Sequence, residues 1–329
     1  MPRITSKDVA ATAGVSQTTV SFVLNGREDK GISTETRDHV LAAAHNLGYV
    51  PSAAARSLRT GTSSVILCLI PDFPVTQAMD EFKIELSRAF ADDGLSCVFL
   101  HHTATHSPPG IALWQQVNPA VVVAFGEVDT EAAASMRRAG IPLVQGVFGD
   151  DGATITGLDQ RRVGALQLEH LVEKGHSRVG YAAVADLREQ RFGRPRLSGF
   201  ADASLKNGFT EPVVAVMADS TASADEALAT FVEADVTGVA AFNDLAAFAL
   251  IAACRRRGVR VPSTLAVIGV DNLRVASLVS PQLSTIAMDL ATFAARLAVH
   301  IVDLLRGSRA RRPAGADLGA FQIIERETT

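Results

Sequence analysis

The sequence predicts a small α-helical domain followed by a larger α/β domain with doubly wound parallel sheets. The first 60 residues hold three short segments with helical apolar spacing. From residue 64 onward, short apolar runs alternate with amphipathic segments, which is the pattern of repeated β-α units. The 329 residues are 47% apolar and 20% charged, so the chain is long enough for two or three domains with sizeable cores.

Charge is distributed unevenly along the chain. The whole sequence has 31 basic and 35 acidic residues, a net charge of −4. Residues 1–60 carry seven basic and five acidic side chains, so this part is +2 and the remainder is −6. The two parts are therefore expected to face different partners.

The first two helical segments are joined by a tight turn. The first is predicted from Ile4 to Gly14, with Thr5 as its N-cap, Asp8 at the capping-box position and an apolar face of Val9, Ala10 and Ala13. Ser16 opens the second helix, whose inward residues are Val20, Val23 and Leu24. Two short helices joined by AGVS predict a helix-turn-helix, a motif whose second helix enters the major groove of DNA.

A third helix completes the predicted domain. It runs from Ser33 to Leu47 and stops at Gly48, with Val40, Leu41, Ala44 and Leu47 as its core face. The alternative is a polar helix pair without a role in nucleic-acid binding, and the third helix disfavours it.

Several side chains lie off the buried stripe of these helices. Those free to meet base edges are Gln17, Thr18, Ser21 and Phe22. Those suited to phosphates are Thr5, Ser16, Thr19 and Asn25. These eight residues are the predicted DNA contacts of the domain.

Residues 51–61 are predicted to form a hinge helix of about two turns, which is marginal alone in water. Leu58 is an apolar residue between Arg56 and Arg59, an arrangement that suits a wedge in the minor groove with flanking phosphate contacts. The alternative is a linker whose Leu58 covers the neighbouring domain.

These segments resemble the lac-repressor (LacI/GalR) family of transcription regulators. The resemblance is carried by ITSKDVAATAGVSQTTVSFVLNG, GISTETRDHVLAAAHNLGYVPSAAARSLRTG, RPRLSGF and VIGVDN, and covers almost the whole chain. It implies that Gln17, Thr18 and Phe22 read bases and that Leu58 intercalates at the operator centre. Phe22 departs from the arginine of many members, and its ring suits a thymine methyl rather than guanine.

Eight apolar runs from residue 64 onward are predicted strands. They are SVILCLIP, SCVFLHH, PAVVVAFG, IPLVQGV, RVGYAAVA, PVVAVMA, VTGVAAFN and LAVIGVDN, each apolar on both faces as buried parallel strands are. The helical stripes between them include Phe82/Leu86/Phe90, Val163/Leu166/Leu171 and Leu245/Phe248/Ile251. Eight units are too many for one small sheet, which favours two lobes.

The resemblance implies a two-lobed periplasmic-binding-protein-like fold. The expected boundaries are a helix-turn-helix domain at 1–50, a hinge at 51–61 and an effector-binding and dimerisation domain at 62–329. Lobe one is expected at about 62–158 and 290–318, and lobe two at about 159–289 and 319–329. FQIIERETT matches the closing strand of the family.

In open α/β sheets, ligands lie beyond the carboxyl ends of the strands. The residues at those positions are Asp72, Phe73, Phe125, Glu127, Asp186, Asn243, Asp244, Asp271 and Asn272. By resemblance, Arg196 and Asp271 match the effector-binding arginine and aspartate of the family. The predicted effector-binding residues are Phe73, Phe192, Arg196, Asn243 and Asp271. Such a set suits a sugar ring, and a nucleobase could use much the same groups.

Two departures weaken the prediction of a particular sugar. Val147 stands where many members have an aspartate, and Met288 where a glutamine is common. They leave open an apolar or unusual effector, or none.

No cofactor, metal site or catalytic activity is predicted. The HHTATH segment, with His101, His102 and His106, has irregular spacing that favours a solvated surface over a metal site. No G-x-S-x-G, Walker loop or G-x-G-x-x-G after a strand is present.

The sequence also lacks an apolar signal-peptide core and any run of roughly 18 apolar residues, so we expect a cytoplasmic protein without a membrane partner. Cys68, Cys97 and Cys254 lie far apart. Cys68 and Cys97 fall in apolar runs, and we expect buried free thiols in a reducing compartment.

Together these features predict a homodimeric repressor of a palindromic double-stranded operator, controlled by a small molecule, a carbohydrate, between the lobes. One alternative is the same fold with a vestigial cleft, controlled by a protein co-repressor. The other is a sugar-binding or enzymatic α/β protein with an incidental helical domain.

Overall fold

The computed structural model describes residues 4–24, 31–49, 63–74, 76–101, 114–145, 147, 158–308 and 321–329. The chain separates into two compact units, Met1–Ser64 and Val65–Thr329.

The first unit contains three helices in its described residues: α1 (Ser6–Ala13), α2 (Gln17–Leu24) and α3 (Thr34–Asn46). Their ends are fixed by the predicted caps. Thr5 donates its backbone N–H and its hydroxyl to Asp8 Oδ2 at 2.8 and 2.7 Å. Ser16 and Ser33 accept hydrogen bonds from Thr19 N and Thr36 N. The predicted helix-turn-helix and its third helix are confirmed.

The core of this unit is small, and one predicted member is wrong. The buried side chains are Val9, Ala10, Val20, Val23, Val40, Ala43 and Ala44. Leu41 is 46% exposed, and Ala43 takes a buried place on the same helix. The buried stripe of α3 therefore follows the helical spacing i, i+3, i+4, from which Leu41 is rotated by about 100°.

The strands described in the second unit form two sheets, on which two lobes are built. The first lobe holds a parallel sheet in the order β2-β1-β3-β4. The second lobe holds a sheet in the order β10-β9-β8-β7-β5-β6, parallel except for β10, which runs antiparallel to β9. The strands are β1 (Val65–Ile70), β2 (Ser96–His101), β3 (Val121–Ala124), β4 (Leu143–Val144), β5 (Val179–Val184), β6 (Val213–Met217), β7 (Gly238–Ala241), β8 (Ala266–Val270), β9 (Ser284–Met288) and β10 (Phe321–Ile324).

Helices cover both sheets. They are α4 (Gln77–Ala91), α5 (Thr130–Arg138), α6 (Gln160–Glu173), α7 (Gln190–Lys206), α8 (Thr221–Glu233), α9 (Asp244–Arg257) and α10 (Leu290–Leu305), with a 3₁₀ helix at Arg274–Ser277. The predicted stripe Phe82/Leu86/Phe90 on α4 is buried. Although α10 follows β9 of the second lobe, it packs on α4 of the first. The chain thus returns to the first lobe at this point.

Three details of the predicted sheets are wrong. β9 was not predicted as a strand, and β10 is antiparallel. β2 and β6 are not buried on both faces, because each lies at a sheet edge where side chains such as Val98 and Val216 remain exposed. The same edge position leaves Cys97 on β2 only half-buried, whereas Cys68 and Cys254 are buried, all three as free thiols.

The predicted stripe of α9 is wrong in one member, since Phe248 and Ile251 are half-buried against the core and Leu245 is not. Leu245 is 55% exposed, and the buried face consists of Asp244, Ala247, Leu250, Ala253 and Cys254. Because this helix is apolar around most of its circumference, spacing alone does not choose the buried face.

Across the described residues, no helix combines the length and the apolar character needed to cross a membrane. Val147 is buried in the main core of the second unit. His101 is exposed at the end of β2, and the predicted surface residues His102 and His106 lie outside the described residues.

Candidate functional site

The first unit presents the polar start of α2 to solvent. Ser16, Gln17 and Thr18 are exposed, and Thr19, Ser21 and Phe22 are half-buried, while Val20 and Val23 anchor the opposite face. Thr5 is exposed at the start of α1. The Ser16 hydroxyl lies 2.9 Å from the Thr19 hydroxyl, so the two are held at the N-terminus of α2.

Four predicted DNA contacts, Asn25, Arg56, Leu58 and Arg59, lie outside the described residues, as does the hinge at 51–61. Their roles stay predictions from the sequence.

In the second unit, a cavity of about 80 Å³ lies at the carboxyl ends of strands from both lobes. All five predicted effector-binding residues line it: Phe73, Phe192, Arg196, Asn243 and Asp271. The remaining lining residues are Pro74, Thr76, Ala78, Met79, Phe82, Leu158, Gln160, Glu189, Phe242, Met288 and Leu290. The strand-end rule thus brings together residues that are up to 198 positions apart in the sequence, Phe73 and Asp271.

Arg196 is the buried cation of this cavity, with only 4% of its surface exposed. Its Nε donates to Gln160 Oε1 and its Nη1 to the carbonyl oxygen of Phe242, both at 2.7 Å. The guanidinium lies 4.9 Å from the centre of the Phe242 ring. These contacts fix the guanidinium before any ligand binds.

Two glycines allow α7, which carries Arg196, to lie against α6. A Cβ added at Gly164 would come within 1.9 Å of the carbonyl oxygen of Arg196. A Cβ at Gly199 would come equally close to the carbonyl oxygen of Arg161. The backbones therefore touch at the level of the cavity, and the position of Arg196 depends on the absence of these side chains.

Asp271 faces Arg196 but does not hydrogen-bond to it. Its Oδ1 lies 3.9 Å from Arg196 Nη2. The Asp271 backbone has φ of 106°, a region that side-chain-bearing residues rarely adopt. Burial raises the pKa of Asp271 to about 6, and Arg196 opposes the rise. A strained, buried acceptor beside a fixed donor is typical of a binding site.

The Asn243–Asp244 pair divides into a cavity residue and a structural residue. Asn243 caps α9 by accepting a hydrogen bond from Ala246 N at 2.9 Å, and it lines the cavity. Asp244 points away from the cavity lining and accepts hydrogen bonds from the Thr285 hydroxyl and Leu273 N at 2.6 and 2.7 Å. Burial raises the pKa of Asp244 to about 7. Asp244 therefore ties α9 to the segment that carries Asp271.

Arg188, just before α7, and Arg191, in the first turn of α7, contact residues of both lobes beside the cavity. Arg188 contacts Asp186 of the second lobe and lies 3.6 Å from Asp72 of the first. Its guanidinium lowers the pKa of Asp186. Arg191 donates to the carbonyl oxygen of Phe125 in the first lobe. The strand-end residues Asp72 and Asp186 thus lie outside the cavity lining, as do Phe125, Glu127 and Asn272.

Sequence reasoning missed several lining residues. Phe242 directly follows β7, so the strand-end rule could have found it. Gln160 begins α6 and Glu189 precedes α7, away from any strand end, so that rule gives no signal for them. The pKa of Glu189 is raised to about 7 by burial and then by the nearby carboxylates Asp186 and Asp219.

Comparisons with known proteins agree with this architecture. Residues 5–52 match the family model for bacterial regulatory proteins of the lacI family, and residues 168–329 match a periplasmic binding protein-like domain. The transcriptional repressor PurR of Vibrio vulnificus is 31% identical over 307 residues, 86% of each chain. The transcriptional regulator GntR of Pseudomonas aeruginosa is 29% identical over 99% of this chain and 96% of its own.

Solved structures show the same fold. The lac repressor dimer bound to operator and the anti-inducer ONPF superposes with a TM-score of 0.80 at 21% identity, covering 99% of both chains. The CelR–cellobiose complex superposes with a TM-score of 0.65 at 23% identity, covering 99% of this chain and all of that one.

The helix-turn-helix and the two-lobed domain define a DNA-binding transcription regulator with a periplasmic-binding-protein-like domain. The chain belongs to the LacI family of bacterial regulatory proteins.

Proposed function

We propose that this regulator is a homodimeric repressor whose affinity for a palindromic operator is set by a small molecule in the cavity. The observation that carries the proposal is the convergence of Phe73, Phe192, Arg196, Asn243 and Asp271 on one cavity between lobes, in a chain that begins with a helix-turn-helix.

The DNA side of the proposal uses the exposed start of α2. Gln17 and Thr18 stand where a helix in the major groove meets base edges, with Ser21 and Phe22 one turn further. Thr5, Ser16, Thr19 and Asn25 are proposed to contact phosphates. Leu58 is proposed as the minor-groove wedge, with Arg56 and Arg59 on flanking phosphates.

The regulatory side uses the contacts between lobes. Arg188 and Arg191 already connect the lobes at the cavity mouth, and Phe73 and Phe192 meet across it with ring centroids 5.5 Å apart. A ligand that contacts both walls stabilises one arrangement of the lobes over another, because it gains contacts only there. Lobe arrangement in two subunits would then control the spacing of the two hinges.

Exposed apolar side chains support the dimer. Ile84 on α4, Leu245 on α9 and Leu278 after the 3₁₀ helix are at least half exposed. Ile84 of the first lobe and Arg274 of the second line one groove. Exposed large apolar side chains are typical of a surface that meets another subunit. The lac repressor structure that superposes on this chain is that of a dimer on its operator.

A carbohydrate effector is the class that the family resemblance implies, and the CelR complex holds cellobiose. The proposal of small-molecule control does not depend on that class. Control by a protein co-repressor is the alternative, and the apolar Met288 in the cavity lining is the observation that favours it.

The test is fluorescence anisotropy of the full-length protein with labelled fragments from the region upstream of its own gene, with and without members of a metabolite library. We expect one fragment to bind specifically and with strong salt dependence, and at least one compound to change that affinity. Arg196→Ala should keep operator binding and lose the response to the compound. Loss of operator binding in the same variant, or a response that survives it, would contradict the proposed cavity.

A further inference from the structure

The two walls of the cavity differ in chemistry. We infer that the effector is a compact aromatic molecule with one polar edge that both accepts and donates a hydrogen bond, such as an aromatic carboxamide, rather than a sugar. The inference rests on the proposed function, because it assigns a ligand class to the same cavity.

The wall from the first lobe is apolar. Phe73, Met79 and Phe82 face the cavity from β1's end and from α4, joined by Leu290 at the start of α10. Of the described first-lobe residues in this wall, Thr76 alone has a polar side chain, and its hydroxyl oxygen caps α4 by accepting a hydrogen bond from Met79 N at 3.2 Å.

A sugar fits such a wall poorly. The hydroxyls of a pyranose project mainly from the rim of the ring, and only its C–H faces can stack on a ring such as Phe73. Rim hydroxyls that face Met79 and Leu290 would leave water without gaining a partner. An aromatic ring gains there instead, since its faces and edges pack favourably against aromatic and thioether groups. Met288 adds a second thioether to the lining.

The polar groups lie on the second lobe. Two of the three nitrogens of the Arg196 guanidinium are occupied, Nε by Gln160 and Nη1 by the Phe242 carbonyl. Its Nη2 stands 3.9 Å from Asp271 Oδ1, too far for a hydrogen bond. A donor and an acceptor therefore stand side by side, and neither satisfies the other.

An amide edge matches this pair. Its carbonyl oxygen accepts from Arg196 Nη2, and its N–H donates to Asp271. A carboxylate offers acceptors but no donor, and it would add negative charge beside the carboxyl groups of Asp271 and Glu189. A neutral group with both functions is thus favoured over an anion.

Three rings supply the walls for a flat ligand. Phe73 and Phe192 approach from opposite lobes, with an angle of 52° between their planes. Phe242 forms a third side and is held under Arg196. Because the Phe73 and Phe192 rings are already in contact, with centroids 5.5 Å apart, the aromatic body is placed beside this pair and next to Phe242, with its polar edge toward Arg196 and Asp271.

The experiment is isothermal titration of the full-length protein with three probes: benzamide, benzoate and glucose. We expect benzamide to bind at least tenfold more tightly than glucose and about fivefold more tightly than benzoate. Asp271→Asn should lower benzamide affinity at least fivefold, and Met288→Gln should lower it while raising glucose affinity. Leu187→Ala, which alters an exposed residue outside the cavity lining, is the matched control and should change none of the three.

The outcomes separate this inference from the proposed function. Tighter binding of glucose than benzamide, lost in Arg196→Ala, would overturn the aromatic class and leave small-molecule control intact. Failure of benzamide to bind would also overturn the class. Binding of benzamide with the expected dependence on Asp271 would support the class. Operator affinity measured with and without benzamide then tests regulation separately. An unchanged operator affinity would mean that the cavity recognises this ligand but that the ligand does not regulate DNA binding.

Discussion

The two units of the chain present their polar side chains in opposite ways. In the first, Ser16, Gln17 and Thr18 project into solvent from a helix held by a core of seven buried residues. In the second, Arg196 and Asp271 are enclosed in a cavity whose geometry depends on neighbouring helices and strands. An exposed site can meet a large, rigid partner such as a duplex, whereas an enclosed site can select a small molecule by complementarity.

This contrast predicts that substitutions in the framework of the second unit will have the largest effects. Gly164→Ala places a methyl group against the carbonyl oxygen of Arg196, where the helices cannot separate without disturbing the core. We expect a loss of about 3 kcal/mol or more in the free energy of unfolding. Chemical denaturation measures it, and Glu173→Ala on the exposed side of α6 should cost little. Equal stability of the two variants would disprove the close helix contact.

The second prediction concerns the predicted hinge and its contact with DNA. Leu58→Ala should weaken binding to the specific operator tenfold or more while changing non-specific binding less than twofold, because a wedge acts only where the hinge docks in the minor groove. Competition anisotropy with operator and random DNA measures both. A similar loss on the two DNAs would remove the wedge role.

The buried carboxyl of Asp271 predicts a dependence of stability on pH. Its pKa is raised in the folded protein to about 6, so the folded state holds a proton that the unfolded chain releases above pH 4. Stability from this group is therefore present at low pH and falls as pH rises from about 4 to 6. Asp271→Asn should remove that fall. Between pH 4 and 7, the unfolding free energy of the variant should therefore rise relative to that of the wild type by on the order of 2 kcal/mol. Parallel pH profiles of unfolding free energy for the variant and the wild type would contradict a buried Asp271 carboxyl with a raised pKa.

The smallest effect is expected at the cavity mouth. Arg188 is exposed, and its contacts with Asp186 and Asp72 are screened by solvent. Arg188→Ala should change ligand affinity by about twofold and leave operator affinity unaltered at 150 mM salt. Titration of the variant with the small molecule and with operator DNA checks this. A tenfold change in either affinity would mean that the exposed contacts of Arg188, rather than the cavity, couple the lobes.

The same contrast explains what the sequence could predict. Caps such as Thr5–Asp8 and Ser33 are local, so short-range spacing identified them. The strand-end rule gathered Phe73, Asn243 and Asp271 because parallel strands share one edge. Arg196 lies on a helix and came from the resemblance.

What the sequence could not predict depends on tertiary packing. Leu41 is as apolar as its buried neighbours but is rotated off the stripe of α3, and α9 offers apolar residues on most sides. Gln160 reaches the cavity only because α6 lies against α7, a contact set by Gly164 and Gly199. The apolar wall around Met79 and Leu290 combines helices that are distant in sequence.

The central claim is that the cavity and the operator site are coupled. By thermodynamic linkage, if a ligand changes the protein's affinity for operator by some factor, operator DNA changes the protein's affinity for that ligand by the same factor. We expect equal factors, of about five or more, when a responsive ligand is titrated into the full-length protein with and without its operator. In Arg196→Ala, we also expect the same ligand concentration to leave operator affinity unchanged. Operator binding that leaves ligand affinity unchanged in the wild-type protein would contradict the coupling.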